Sequence, residues 1–318
     1  METSLSVPII ELPARLWTKA RSLIVRTSFE ERSAVVARTA QPGMVRKGII
    51  FASEGRSELA EARLSEVRRM HPNLQVVELR TADPLGTAER IHHAIESIGL
   101  VDAVIDITAF RREELLMLLE VLRSIDASKR RNCELVYVSA GDMADPLSGK
   151  VTQCRSVVGY AGAMWPSRPT RLVVLMGFEI PRARAIIEAY EPKYLVLGRG
   201  LRSESISQAL SDKNDAFFKE LSSNYANIES TFEFSARDPR AVVKALEHVV
   251  PSSEASNVVI APLHTKLSTI GVGLYAQSHR DVQVCYAEVG AYNEETYSTV
   301  GNAAYVLPLT QLLARRTS

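Results

Sequence analysis

The feature that most constrains this chain is that it reads twice. From Ser22 it runs SLIVRTSFEERSAVVARTAQPGMVRKGIIFA, and from Arg171 it runs RLVVLMGFEIPRARAIIEAYEPKYLVLG. Each is an apolar run, a small residue, Phe-Glu, an Arg-bearing turn, an Ala-rich helix, a Pro and a second apolar run. The halves stay in step: Arg56-Ser57-Glu58 answers Arg202-Ser203-Glu204, Asp83-Pro84 answers Asp238-Pro239, Ile105 answers Ile260, Tyr137 answers Tyr286, and PLSGK answers TYSTVG. Two-residue coincidences are common, but several in one order indicate an internal duplication.

Within each half, β-branched apolar runs alternate with longer helical patterns, which is the pattern of βαβ units and a parallel sheet. The expected fold class is α/β, as two tandem Rossmann-like, doubly wound repeats of five strands each. The expected divisions are an arm over 1–21, repeat one over 22–158, a Gly/Pro/Ser-bearing linker over 159–170, and repeat two over 171–318.

Composition narrows the function class. Lys and Arg number 38 against 37 Asp and Glu, for a formal charge of +1, so there is no global pull toward nucleic acid or an anionic membrane. Three scattered cysteines without CxxC argue against a disulfide framework or structural zinc, and no metal or cofactor is expected. No stretch has signal-peptide or membrane-span character, so a cytoplasmic protein is expected. P-loop, dinucleotide, hydrolase-elbow and zincin motifs are absent.

Open parallel sheets bind ligands beyond the carboxyl ends of their strands, and that rule selects loops. Arg56-Ser57 and Arg202-Ser203 suit an anion at a helix start or simple N-capping. The sharpest loops are Ile107–Arg112, with Thr108, Arg111 and Arg112, and Pro262–Lys266, with His264, Thr265 and Lys266. A hydroxyl, an ammonium and a helix N-terminus together suit a phosphate. Glu30 and Glu179 of the two Phe-Glu pairs either orient a ligand or fasten to Arg32 and Arg182.

The strand, Thr-Lys loop and helix of VVIAPLHTKLSTIGVGL, with the weaker VIDITAFRREELLMLL, resemble the fourth-strand loop of CRISPR-associated Rossmann-fold (CARF) sensor domains. Thr265-Lys266 and Asp106-Ile107-Thr108 carry the likeness, while Leu263-His264 and Ala109-Phe110 stand where that family has paired glycines. The resemblance implies a second-messenger sensor, a nucleotide ligand and a role in antiviral defence. The leading expectation is therefore a phosphate-bearing, nucleotide-like ligand in a cleft between the repeats, read by a protein effector. Two alternatives remain open. One is an enzyme cleaving a phosphodiester or glycosidic bond with Glu30, Glu179 and His264; the other is a scaffold subunit.

Overall fold

The structure, a computed structural model, describes residues 6–250 and 255–314. The first half runs β1 (Ser6–Pro8), α1 (Leu12–Leu16), β2 (Arg21–Arg26), α2 (Val35–Arg38), β3 (Val45–Ser53), α3 (Glu58–Met70), β4 (Leu74–Leu79), α4 (Pro84–Ile98), β5 (Ala103–Asp106), α5 (Arg112–Ser124) and β6 (Glu134–Met143). The second runs β7 (Val151–Ser156), β8 (Thr170–Leu175), α6 (Ile180–Tyr190), β9 (Tyr194–Gly200), α7 (Gln208–Asn224), β10 (Ile228–Phe234), α8 (Pro239–Val249), β11 (Asn257–Pro262), α9 (Lys266–Ser278), β12 (Gln283–Val289), β13 (Ser298–Pro308) and α10 (Leu309–Leu312).

Two sheets result. One is ordered β1-β13-β6-β5-β2-β3-β4, the other β10-β9-β8-β11-β12-β7. Strands β4, β3, β2, β5 and β6 are parallel, as are β10, β9, β8, β11 and β12. Numbered within its repeat, each set has the order 3-2-1-4-5. The fold class is α/β with two doubly wound, Rossmann-like sheets of the same order, as the alternation of short apolar runs and helices requires.

The first strands are apolar at their centres because both faces are covered there; Leu23, Ile24, Val25, Leu172, Val173 and Val174 are fully buried. Helices start where short polar residues cap them. Ser57 accepts from the Ala60 N–H, Asp83 from Gly86 and Asp238 from Arg240. Helices α4 and α5 pack together, as do α8 and α9. At the latter crossing a Cβ on Gly271 would lie 2.5 Å from the Val242 Cβ, so only glycine permits that approach.

The last strand of each half does not stay with its repeat. β7 joins the second sheet, antiparallel to β12, and β13 joins the first, antiparallel to β6. The compact units are therefore residues 1–144 with 294–318 (unit 1) and 145–293 (unit 2). This corrects the expected boundaries at 158 and 171, because the antiparallel ladders of β7 and β13 reassign the chain. It also corrects the linker, since 159–170 is docked on unit 2. Tyr160 is buried and its hydroxyl accepts from Gln277 Nε2 at 3.1 Å, while Asn257 Nδ2 donates to the carbonyls of Trp165 and Arg168. The arm over 1–21 supplies β1 and α1, which carries the buried Leu12 and Leu16; its residues 1–5, like 315–318, lie outside the described residues.

Candidate functional site

In this strand order the switch point lies between β2 and β5 in unit 1, and between β8 and β11 in unit 2. In unit 1 it is filled from within. Arg26 ends β2 and lies beneath α5, where its Nε donates to Glu114 Oε2 at 2.8 Å and its Nη2 to Glu114 Oε1 at 3.0 Å. Glu114 also accepts from the Arg111 N–H at 2.9 Å, completing a capping box at the start of α5. Burial alone would raise the Glu114 carboxyl, but the Arg26 guanidinium beside it holds it below the usual carboxylate range. The helix N-terminus thus already holds an anion and the anion a cation.

Next to this pair, Asp106 closes β5. It is 1% exposed; Oδ1 accepts from the Thr108 N–H at 2.9 Å, and Oδ2 has no hydrogen-bond partner. Burial pushes its carboxyl up to about 7, against the lowering effects of Thr108 and Arg32. Thr108 is fully buried and its hydroxyl accepts from the Val138 N–H at 2.9 Å. Arg111 donates to the Thr81 hydroxyl. Arg112 opens α5 and is half-buried. Thr108 and Arg111 thus make bonds within the unit around a filled edge.

Unit 2 lacks both halves of that ion pair. By strand register Leu175 stands where unit 1 has Arg26, and by helix position Ser268 stands where it has Glu114. The start of α9 is capped by Thr265, whose hydroxyl accepts from the Ser268 N–H at 3.1 Å and donates to the Ala236 carbonyl at 2.7 Å. His264 lies among rings, with its centroid 6.1 Å from Phe178 and 5.2 Å from Phe234. β9 makes room for it. A Cβ on Gly200 would sit 2.8 Å from His264 Nε2, and one on Gly177 would meet the Leu263 carbonyl. Lys266, the first residue of α9, is half-buried on the same edge.

The remaining expected positions divide clearly. Arg56 is neutralised by Glu61 and Glu78, and Ser57 caps α3. Arg202 is paired with Asp212 and Asp215 of α7. Ser203 does not start a helix; those ion pairs hold it in a short turn, and Ser207 caps α7 instead. Glu30 and Glu179 are fastenings. Glu30 accepts from Arg32 and from Ser298 at 2.8 Å, and Arg32 also donates to Ser298 at 3.0 Å and to the Val138 carbonyl at 2.9 Å. Glu179 accepts from Ser148 and pairs with Arg182 at 3.1 Å, and Arg182 donates to Ser148 at 3.2 Å. The two triads match in residue type, with Arg two residues after Glu in one and three in the other, and each grips an exchanged strand at or just before its start.

Sequence reading missed Arg26 and Glu114, although Arg111 followed at three residues by Glu114 before a Leu run is a capping-box spacing. It also missed the serines as partners of the Phe-Glu loops, although PLSGK and TYSTVG align them. Among the described residues no cluster of three or more His, Cys, Asp or Glu could hold a metal, and no helix is long and apolar enough to cross a membrane.

No protein-family profile matches the chain, and no curated protein matches it. Among solved structures, the cytoplasmic domain of a prokaryotic cation chloride cotransporter aligns over 87% of this chain and 97% of its own, at 10% identity and a TM-score of 0.25.

Proposed function

We propose that the protein binds a phosphate-bearing, nucleotide-like ligand at the carboxyl edge of unit 2, with unit 1 as its closed counterpart. The observation that carries this reading is the asymmetry of the switch points. Glu114 and Arg26 fill the one at α5, whereas at α9 the matching positions hold Ser268 and Leu175, neither of which carries a charge. A helix N-terminus attracts negative charge through its N–H groups and dipole. Lys266 adds a cation, and the half-buried rings of Phe178 and His264, backed by the buried Phe234, supply an apolar wall for a base. The cleaving-enzyme reading has less support, because Glu30 and Glu179 are engaged in buried ion pairs.

The test is a thermal-shift screen with mononucleotides, dinucleotides and cyclic oligonucleotides on the full chain. A ligand at a hundredfold excess over Kd stabilises the fold by roughly 2.7 kcal/mol. Lys266→Ala should abolish the shift, and Leu175→Arg/Ser268→Glu, which rebuilds the unit 1 ion pair in unit 2, should abolish it while the protein stays folded. A nucleotide shift that survives both variants would refute the assignment, as would the absence of any shift.

A further inference from the structure

A second surface lies at the opposite, amino edge of the unit 1 sheet and does not depend on the site above. Six exposed cations gather there. Arg46 and Lys47 begin β3, Arg68 and Arg69 end α3 on the way into β4, and Lys129 and Arg131 precede β6. Bonds between the turns make the row continuous. Asn73 Nδ2 donates to the carbonyls of Val45 and Arg46 at 2.9 and 2.7 Å, joining the end of α3 to β3. The Asp102 N–H donates to the Arg131 carbonyl at 2.9 Å, joining the start of β5 to that of β6. Neighbouring strands are about 4.8 Å apart, so the row from β4 to β6 spans roughly 20 Å.

The carboxylates along the strand starts have partners of their own, and Asp126, which also faces Lys129, accepts from the Ser128 N–H at 2.7 Å. Asp102 accepts from Lys19 at 2.7 Å and from Asn132 at 3.0 Å, and Glu134 is paired with Arg15 and Arg21. Among the described residues none of the six cations is in a salt bridge. The two arginines of α3 also complement its dipole, but Arg46, Lys47 and Arg131 are on no helix, so capping does not account for the row. A chain with a formal charge of only +1 concentrates positive charge on one rim. Met70 and Val101 are interspersed, 36% and 42% exposed.

We propose that this rim docks on an anionic lipid surface. Its occupant is read from its chemistry. Lysines and arginines beside exposed aliphatic side chains suit acidic headgroups with shallow apolar contact, and the rim is a row of strand starts. Single-stranded nucleic acid fits it less well, since base stacking needs rings and the exposed apolar residues here are Met and Val.

The experiment is co-sedimentation of the full chain with phosphatidylcholine vesicles with and without 30% phosphatidylserine. Each basic residue near such a surface is worth roughly a fivefold gain in partitioning. Lys47→Glu/Arg69→Glu/Arg131→Glu should therefore weaken binding by more than about a hundredfold, with melting unchanged. Raising salt to about 0.5 M should release the protein. A reversal of Lys219 and Lys244 in unit 2 should leave binding intact. Absence of binding to the acidic vesicles, equal binding to both vesicle types, or equal loss in the unit 2 reversal would each overturn the proposal. Binding of an oligonucleotide that is abolished by the triple variant, without vesicle binding, would give the rim to nucleic acid instead.

Discussion

Asp106→Asn is the perturbation whose outcome follows most directly from the structure. Asp106 is 1% exposed, its Oδ2 has no partner, and its carboxyl is pushed by burial from an ordinary 3.8 to about 7. The folded state therefore keeps a proton that the unfolded chain has already lost between about pH 4 and pH 7. In that window the folded state binds more protons, so this group makes stability fall as pH rises. Its contribution is fully present below the unfolded value and is lost as pH climbs through about 7. At about 1.4 kcal/mol per pH unit, the whole effect is about 4 kcal/mol.

Asparagine is nearly isosteric, still accepts from the Thr108 N–H, and carries no charge at any pH. Urea unfolding at pH 5, 6, 7 and 8 should show the variant more stable than the parent by only about 1.5 kcal/mol at pH 5, with the gap widening as pH rises. By pH 8 it should be more stable by about 4 kcal/mol. The difference between the two proteins is the quantity to read, since other carboxylates move both curves together. Parallel curves would refute the reasoning, and a variant weaker at pH 8 would mean that the ionised Oδ2 is stabilised by a partner.

Glu114→Leu should cost about 3–5 kcal/mol because it leaves Arg26 buried and uncompensated, while Arg26→Met/Glu114→Leu should recover most of that in a double-mutant cycle by urea unfolding. Glu30→Gln and Glu179→Gln should each destabilise by about 3 kcal/mol, as broken fastenings of the exchanged strands; a stability change near zero would reopen the acid–base reading. Gly200→Ala should displace the His264 ring, read as a shift of its imidazole NMR signals, with melting altered only slightly.

Much of the fold was legible because repetition constrains interpretation. An apolar run such as LIV is ambiguous alone, but its return as LVVL, with the same Phe-Glu and the same helix behind it, fixes both as first strands of equivalent sheets. The caps at Ser57, Asp83 and Asp238 were legible because each is a local competition for the same N–H groups. What failed was non-local. Nothing in VTQCRS or STVGNAAYVLP states which sheet edge it will pair with, since backbone ladders accept almost any sequence on an open edge. The site was less legible than the fold for a related reason. Arg56, Arg202, Arg111 and Glu30 have the side chains a ligand needs, but the same groups satisfy internal carboxylates, hydroxyls and guanidinium groups. Only geometry separates the two uses.

The strand exchange gives the Phe-Glu loops their physical rationale. A strand arriving at a sheet from the other half of the sequence must find its edge without a short hairpin to fix the register, and loop closure over such a distance is entropically costly. A buried Arg that binds both a Glu on its own loop and a Ser on the incoming segment supplies a specific register mark, because sliding by one residue would turn the serine to the opposite face. Ser298 stands at the first residue of β13, and Ser148 lies three residues before β7, where it also bridges Tyr292. The mark thus stands at the first residue of the exchanged strand in unit 1 and just ahead of it in unit 2. Of the two uses open to the duplicated Phe-Glu, the ion pairs favour the fastening: it lets two repeats trade their final strands without losing register.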